Sequence, residues 1–220
     1  MRRITLARVF VLALVFGSLS SATALAAKKD HPQPRTAKQK VDVPLDKIRV
    51  SDGDTMVIDW AEGDRERVRV LGIDTPEIAH EGHFLTEDQP HGQEAREFAT
   101  KLFAQAKQIQ LLRADQTDTY GRTLGFFFLD GKNYSPMVLR ARLAYETVSH
   151  YGDNGFPEEA AECLEAAKEA QKQGELDFEQ PYLFRRMMRE REEAAKAPKS
   201  QRPSKAPKAD KDEKSEGGGR

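Results

Sequence analysis

Cysteine is nearly absent from this 220-residue chain; Cys163 stands alone. One thiol excludes an internal disulfide, so the core must hold without staples. No His/Asn partner pattern surrounds Cys163, which reads as a buried helix residue rather than a nucleophile. Net charge is also scarce, at −1. That near-zero value hides a strong asymmetry. Residues 1–26 carry three arginines and no acid, and removing them leaves −4. Residues 185–220 hold 12 Lys/Arg against 7 Asp/Glu, so residues 27–184 carry about −9. A body this acidic excludes gripping nucleic acid through a broad basic surface. Any phosphate binding must come from a few placed cations, helped by a metal. Membrane-length apolar runs are missing too: Val9–Phe16 is too short to span a bilayer.

What is present begins with a leader. Met1-Arg2-Arg3, the short apolar run and Ala24-Leu25-Ala26 describe a secretory signal peptide over 1–26. No cysteine follows closely, which excludes lipid attachment there. The expectation is an exported protein, periplasmic or extracellular, with no membrane association after cleavage. Residues 27–43, polar with Pro32 and Pro34, read as a flexible lead-in. Residues 44–184 hold nearly all remaining apolar content and suit one domain. Residues 185–220, Lys/Glu/Ala/Pro-rich and ending in Gly217-Gly218-Gly219, read as a largely disordered charged tail.

Within 44–184 the pattern predicts strands at 47–50, 55–60, 65–73, 108–113 and 123–129. Helices are predicted at 93–107 and 158–173, with a short one at 135–140 that Ser135 would cap. In the third strand Val68 and Val70 alternate with Arg67 and Arg69, giving one apolar and one cationic face. The expected architecture is α+β, a compact five-stranded β-barrel with about three helices packed outside.

Four charged clusters follow one another: Asp52-Gly53-Asp54-Thr55, Arg69, Asp74-Thr75-Pro76-Glu77 and Asp118-Thr119-Tyr120-Gly121-Arg122. Asp54, Asp74 and the carbonyl of Thr75 are oxygen ligands of the kind that suit Ca²⁺ or Mg²⁺ rather than zinc. Three acids are too few for a closed calcium cage, which leaves positions for water and a phosphate oxygen. Glu77 could orient or deprotonate a water. Arg69 and Arg122 could each donate two hydrogen bonds to a phosphate. Singly, each cluster has a plainer reading: Asp-Gly-Asp as a turn, Arg67 and Arg69 as a solvated strand face, Asp-Thr-Pro-Glu as a helix start. His80, His83 and His91 lack a matching Cys/His pair and read as a solvated loop.

In their joint order these clusters resemble the staphylococcal nuclease (thermonuclease) family over roughly residues 45–176. The resemblance implies an OB-type barrel and a calcium-dependent phosphodiesterase acting on DNA and RNA with little sequence preference, Mg²⁺ being the poorer ion. It implies metal ligands Asp54, Asp74 and Thr75, and catalytic residues Arg69, Glu77 and Arg122. No stable protein partner is implied, and a monomer is expected. Two departures stand out. Ala141-Arg142 occupies the place where the family usually has a glycine, and base-stacking aromatics have only Tyr120, His150 and Tyr151 as candidates. The alternative is a catalytically weak or inactive OB module that binds nucleic acid or protein.

Overall fold

A computed structural model describes residues 33–80 and 82–196. In chain order these form β1 (Lys40–Val43), β2 (Ile48–Asp52), β3 (Thr55–Ala61), β4 (Asp64–Val70), β5 (Ile73–Asp74), α1 (Gly92–Gln105), β6 (Ile109–Thr117), β7 (Thr123–Leu129) and β8 (Lys132–Asn133). Then follow α2 (Tyr134–Arg140), β9 (Tyr145–Glu146), α3 (Val148–Tyr151), α4 (Pro157–Gln171) and α5 (Pro181–Lys196). The main sheet runs β1-β6-β7-β4-β3-β2, with β8 added beside β7 and β5 pairing β9 separately. All pairs are antiparallel except β4 with β7.

Connectivity forces this sheet to curl. Strands β1 and β2 lie at opposite ends of the order, yet only residues 44–47 join them. Five residue steps reach at most about 18 Å. Six strands laid flat would separate the edges by about 24 Å. The result is a curled half-barrel with helices packed on it, an OB-like α+β fold.

Its interior is filled by Met56, Ile58, Val68, Val70, Leu111 and Phe127, each buried. Helix α1 presents Ala95, Ala99 and Phe103 at helical spacing. The Phe103 ring meets Phe127 and Tyr134 edge-on, with centroids 5.3 and 5.1 Å apart. Cys163 is fully buried on α4, and burial, with nearby glutamates, pushes its thiol up to about 12. That thiol is inert.

Several expectations are corrected. The lead-in 27–43 ends early, because Lys40–Val43 pairs with β6 and buries Val43. The charged tail 185–220 begins too soon, because α5 continues to Lys196 and buries Phe184 and Met188. The main sheet has seven strands rather than five, and there are five helices among the described residues. Helix α2 is capped by Asn133, whose side chain accepts the Ser135 N–H; the Ser135 hydroxyl instead donates to the Leu71 carbonyl at 2.7 Å. The leader at 1–26 and the end of the tail lie outside the described residues. No helix among the described residues is long and apolar enough to cross a membrane.

Arg142 adopts φ +60°, the left-handed conformation that glycine takes most readily. Its guanidinium offsets the cost by donating to the carbonyls of Ala170, Gly174 and Glu175 at the end of α4. The segment beyond is held again where Tyr145 donates to the Phe178 carbonyl and Gln89 to that of Glu179.

One buried ion pair spans the sheet. Glu66 shares the apolar face of β4 with Val68 and Val70, and accepts both Nε and Nη2 of Arg113 at 2.8 Å. Trp60 and Thr123 also donate to it. Burial alone would raise its pKa; these donors outweigh burial and hold it below the usual carboxylate range. Removing one partner strands the other charge. Glu66→Ala is therefore expected to lose about 3–5 kcal/mol in denaturant unfolding, and Glu66→Leu with Arg113→Met much less. Equal losses would show that the pair does not behave as a coupled unit.

Candidate active site

The site grows from the β2–β3 turn. A side chain at Gly53 would meet the Thr75 side chain at 2.8 Å, so glycine lets the turn press against Thr75. This carries Asp54 into the interior, where it is 2 % exposed. Its Oδ2 accepts the Thr75 N–H at 2.7 Å and the Thr75 hydroxyl at 3.0 Å. Its Oδ1 accepts the Thr55 hydroxyl at 3.2 Å. The Tyr134 hydroxyl pins the same turn by donating to the Gly53 carbonyl at 2.7 Å.

Arg69 faces Thr55 across the β3–β4 ladder. Its guanidinium donates from Nη1 to Asp54 Oδ1 and from Nη2 to Asp74 Oδ1. Two carboxylates, one from the β2–β3 turn and one from the end of β5, are thus joined by one cation. Glu77 follows three residues after Asp74, and the first residue of α1 packs on its backbone. A Cβ at Gly92 would collide with the Glu77 carbonyl. Gln89 accepts the Glu77 N–H at 3.2 Å. Arg122 comes from the β6–β7 turn, where Asp118 accepts its backbone N–H at 2.8 Å and its Nε at 2.6 Å. Arg122 Nη1 reaches the Thr55 hydroxyl at 3.3 Å, one hydrogen bond from Asp54. All six sequence-predicted site residues therefore meet at one end of the sheet.

A seventh participant is Arg185 on α5, which the sequence reading left in a solvated tail. It donates to both oxygens of Asp74 at 3.0 Å and to Glu77 Oε1. Its helix had a legible signal: Pro181, Phe184 and Met188 fall at helical spacing and are the buried positions of α5.

Four acids gather here with few cations between them. Removal from water, with Asp54 adding repulsion, pushes Asp52 up to about 8. Burial and then Asp54 raise Glu77 above the ordinary glutamate value, against the pull of Arg185 and Arg69. Burial would raise Asp74 as well, but Arg69 and Arg185 prevail and hold it low. Acids poised so differently side by side are a feature of functional sites.

The donor set fits a hard cation. Asp54, Asp74 and Thr75 offer only oxygen. Among the described residues no group of three or more His, Cys, Asp or Glu forms a ready cage. An ion here would draw on two aspartates, a carbonyl, waters and substrate oxygens. The histidine loop differs: His83 stacks on Phe84 at 4.1 Å and His80 meets it edge-on at 6.2 Å. Of the stacking candidates, Tyr120 borders the site, with Arg122 5.6 Å from its ring, while His150 and Tyr151 meet each other edge-on.

Asp52 makes stability depend on pH. The unfolded chain loses this proton near 3.8, the folded protein only near about 8. Between these values the folded form holds an extra proton, so the group's contribution is present in acid and lost as pH rises through the window. In chelator, Asp52→Asn is expected to gain thermal stability over the parent between about pH 5 and about pH 8. Parallel curves would show that Asp52 ionises normally.

Comparison with known proteins adds an independent line. The family model for "Staphylococcal nuclease homologue" matches residues 67–175. Endonuclease YncB of Bacillus subtilis (strain 168) is 34% identical over 122 residues, covering 54% of this chain and 55% of that protein. SPbeta prophage-derived endonuclease YokF of the same organism is 37% identical over 112 residues, covering 49% and 36%. Thermonuclease of Staphylococcus hyicus is 33% identical over 125 residues, covering 57% and 69%. The chain spans about half of YncB and about a third of YokF. The matched segment begins at Arg67, and the fold adds the upstream Asp54 turn to its acids and arginines. With 33% identity to the Staphylococcus hyicus thermonuclease over 69% of its length, and the family model matched, the chain belongs to the staphylococcal nuclease family.

Proposed function

We propose that this chain is an exported, calcium-dependent nuclease that hydrolyses phosphodiester bonds of DNA and RNA with little sequence preference. The observation that carries the reading is the bridging of Asp54 and Asp74 by Arg69, with Glu77 and Arg122 beside them. The names of the relatives agree with it.

In this reading Asp54, Asp74 and the Thr75 carbonyl hold the ion, which supplies Lewis-acid polarisation of a phosphate oxygen when bound. Glu77 positions a water and takes its proton; its raised pKa makes it a better base than an ordinary glutamate. The water oxygen bonds to phosphorus in line, the bond to the 5′ oxygen breaks, and that oxygen takes a proton from solvent water while Glu77 gives its own back to solvent. Arg69 and Arg122 donate to the non-bridging oxygens as these gain charge. The acidic body suits a protein that holds substrate locally and releases it. A loose oxygen site suits the larger Ca²⁺ over Mg²⁺.

Incubation with plasmid, single-stranded DNA and RNA tests this. Cleavage is expected with calcium, weaker with magnesium and absent with chelator. Glu77→Gln and Arg122→Ala are each expected to lower kcat by about 10²–10³-fold. Undiminished activity in excess chelator would sink the reading, and equal rates in magnesium would sink its ion preference.

A further inference from the structure

Helix α5 lies beyond the segment that matches the family model, yet it reaches into the site. Arg185 occupies both Asp74 oxygens and one of Glu77. With Arg69 on the same carboxylate, Asp74 spends three of its roughly four acceptor sites on guanidinium groups, and Arg185 adds a positive charge that a divalent ion at Asp74 must displace or tolerate. The rest of α5 is fixed on either flank of the site. Phe184 and Met188 bury themselves with Leu85 of the 78–90 loop. Arg191 pairs with Glu87 of that loop at 2.6 Å. On the other flank Arg189 donates to the Tyr120 hydroxyl at 3.0 Å. The helix therefore spans from one loop to the other, with Arg185 directed down at the acids.

We infer that α5 is a cation-released latch: Arg185 serves as the site's internal counter-cation and holds α5 across it until a divalent ion takes Asp74. This rests on the proposed ion site at Asp54 and Asp74. The balance of forces supports exchange. The flanking Arg191–Glu87 ion pair and the Arg189 hydrogen bond to Tyr120 are both exposed and contribute little. The apolar anchor, Leu85, Phe184 and Met188 with Phe84 and Met187 against them, is a cluster separate from the main core, and it opposes release. The partly buried, charge-assisted contact of Arg185 is the strongest single tie, and it is the one a doubly charged ion competes with directly. Release of α5 would also free Tyr120 beside Arg122.

Two measurements on the full chain test the latch: calcium binding by titration calorimetry, and amide hydrogen exchange of α5 with and without calcium. In the parent, calcium is expected to speed exchange across residues 181–196. Arg185→Gln is expected to exchange fast without calcium and to bind it about tenfold more tightly, because no closed state must first be opened. Removing a positive charge could tighten binding by itself, so Met188→Ala supplies a charge-neutral loosening of the same helix. It is expected to bind calcium several-fold more tightly, again with faster exchange in α5. Asp54→Asn shows whether the heat belongs to this site. If calcium binds and is lost in Asp54→Asn, but α5 stays equally protected or Met188→Ala binds no tighter, the latch is overturned and the ion site stands. If neither the parent nor Arg185→Gln binds calcium, both fall together.

Discussion

Everything at this site depends on one guanidinium. Arg69 stands between Asp54 and Asp74, which approach from the β2–β3 turn and the end of β5 and would repel each other. Its own burial is costly, and its pKa is nevertheless raised by the acids around it, Asp54 and Asp74 first. The acids hold the arginine in the interior, and the arginine holds the acids together. Such mutual dependence explains why a chain with so little net charge can carry a local excess of carboxylates. In the proposed nuclease this mutual hold keeps the acids and Arg69 in place before substrate arrives, and charge that develops on a phosphate is stabilised best by groups already in place.

The fold supplies the rest of the precision through contacts that carry no chemistry. Gly53 brings the β2–β3 turn onto Thr75, and Gly92 brings the start of α1 onto Glu77. Tyr134 and Ser135, adjacent on α2, reach back to Gly53 and Leu71 and so fix both ends of the acidic cluster from one short helix. The curled sheet is what makes these reaches possible, since its strand ends converge where a flat sheet would spread them.

Much of this was legible in the residues, for a physical reason. Asp54, Arg69, Asp74, Glu77 and Arg122 sit at strand ends and turns, where local spacing already limits where a side chain can go. The long helices α1 and α4 announced themselves by apolar periodicity. What stayed hidden depended on distant partners. Strand β1 is four residues beside a lysine-rich stretch, and its pairing with β6 is not encoded locally. Glu66 alternates with Val68 and Val70 onto the core face, and the donors that make its burial tolerable, Arg113 47 positions away and Trp60 and Thr123, are not read from its local sequence. Arg185 lay in sequence that reads as solvated, and its targets are more than 100 positions upstream. Arg142, which stands where the family usually has a glycine, takes the left-handed conformation that glycine adopts most readily and adds a side chain that glycine lacks.

In the proposed latch, the holds on the connector before α5 fix where motion can begin. Arg142, Tyr145 and Gln89 hold the connector after α4 at Gly174–Glu175, Phe178 and Glu179 in turn. A swinging α5 could not carry this connector along, so its pivot falls at Gln180–Pro181. The lever is then α5 itself, a rigid arm about 24 Å long. A small rotation at its base sweeps Arg185, one turn out, only a few ångströms, while Lys196 at the tip travels several times farther.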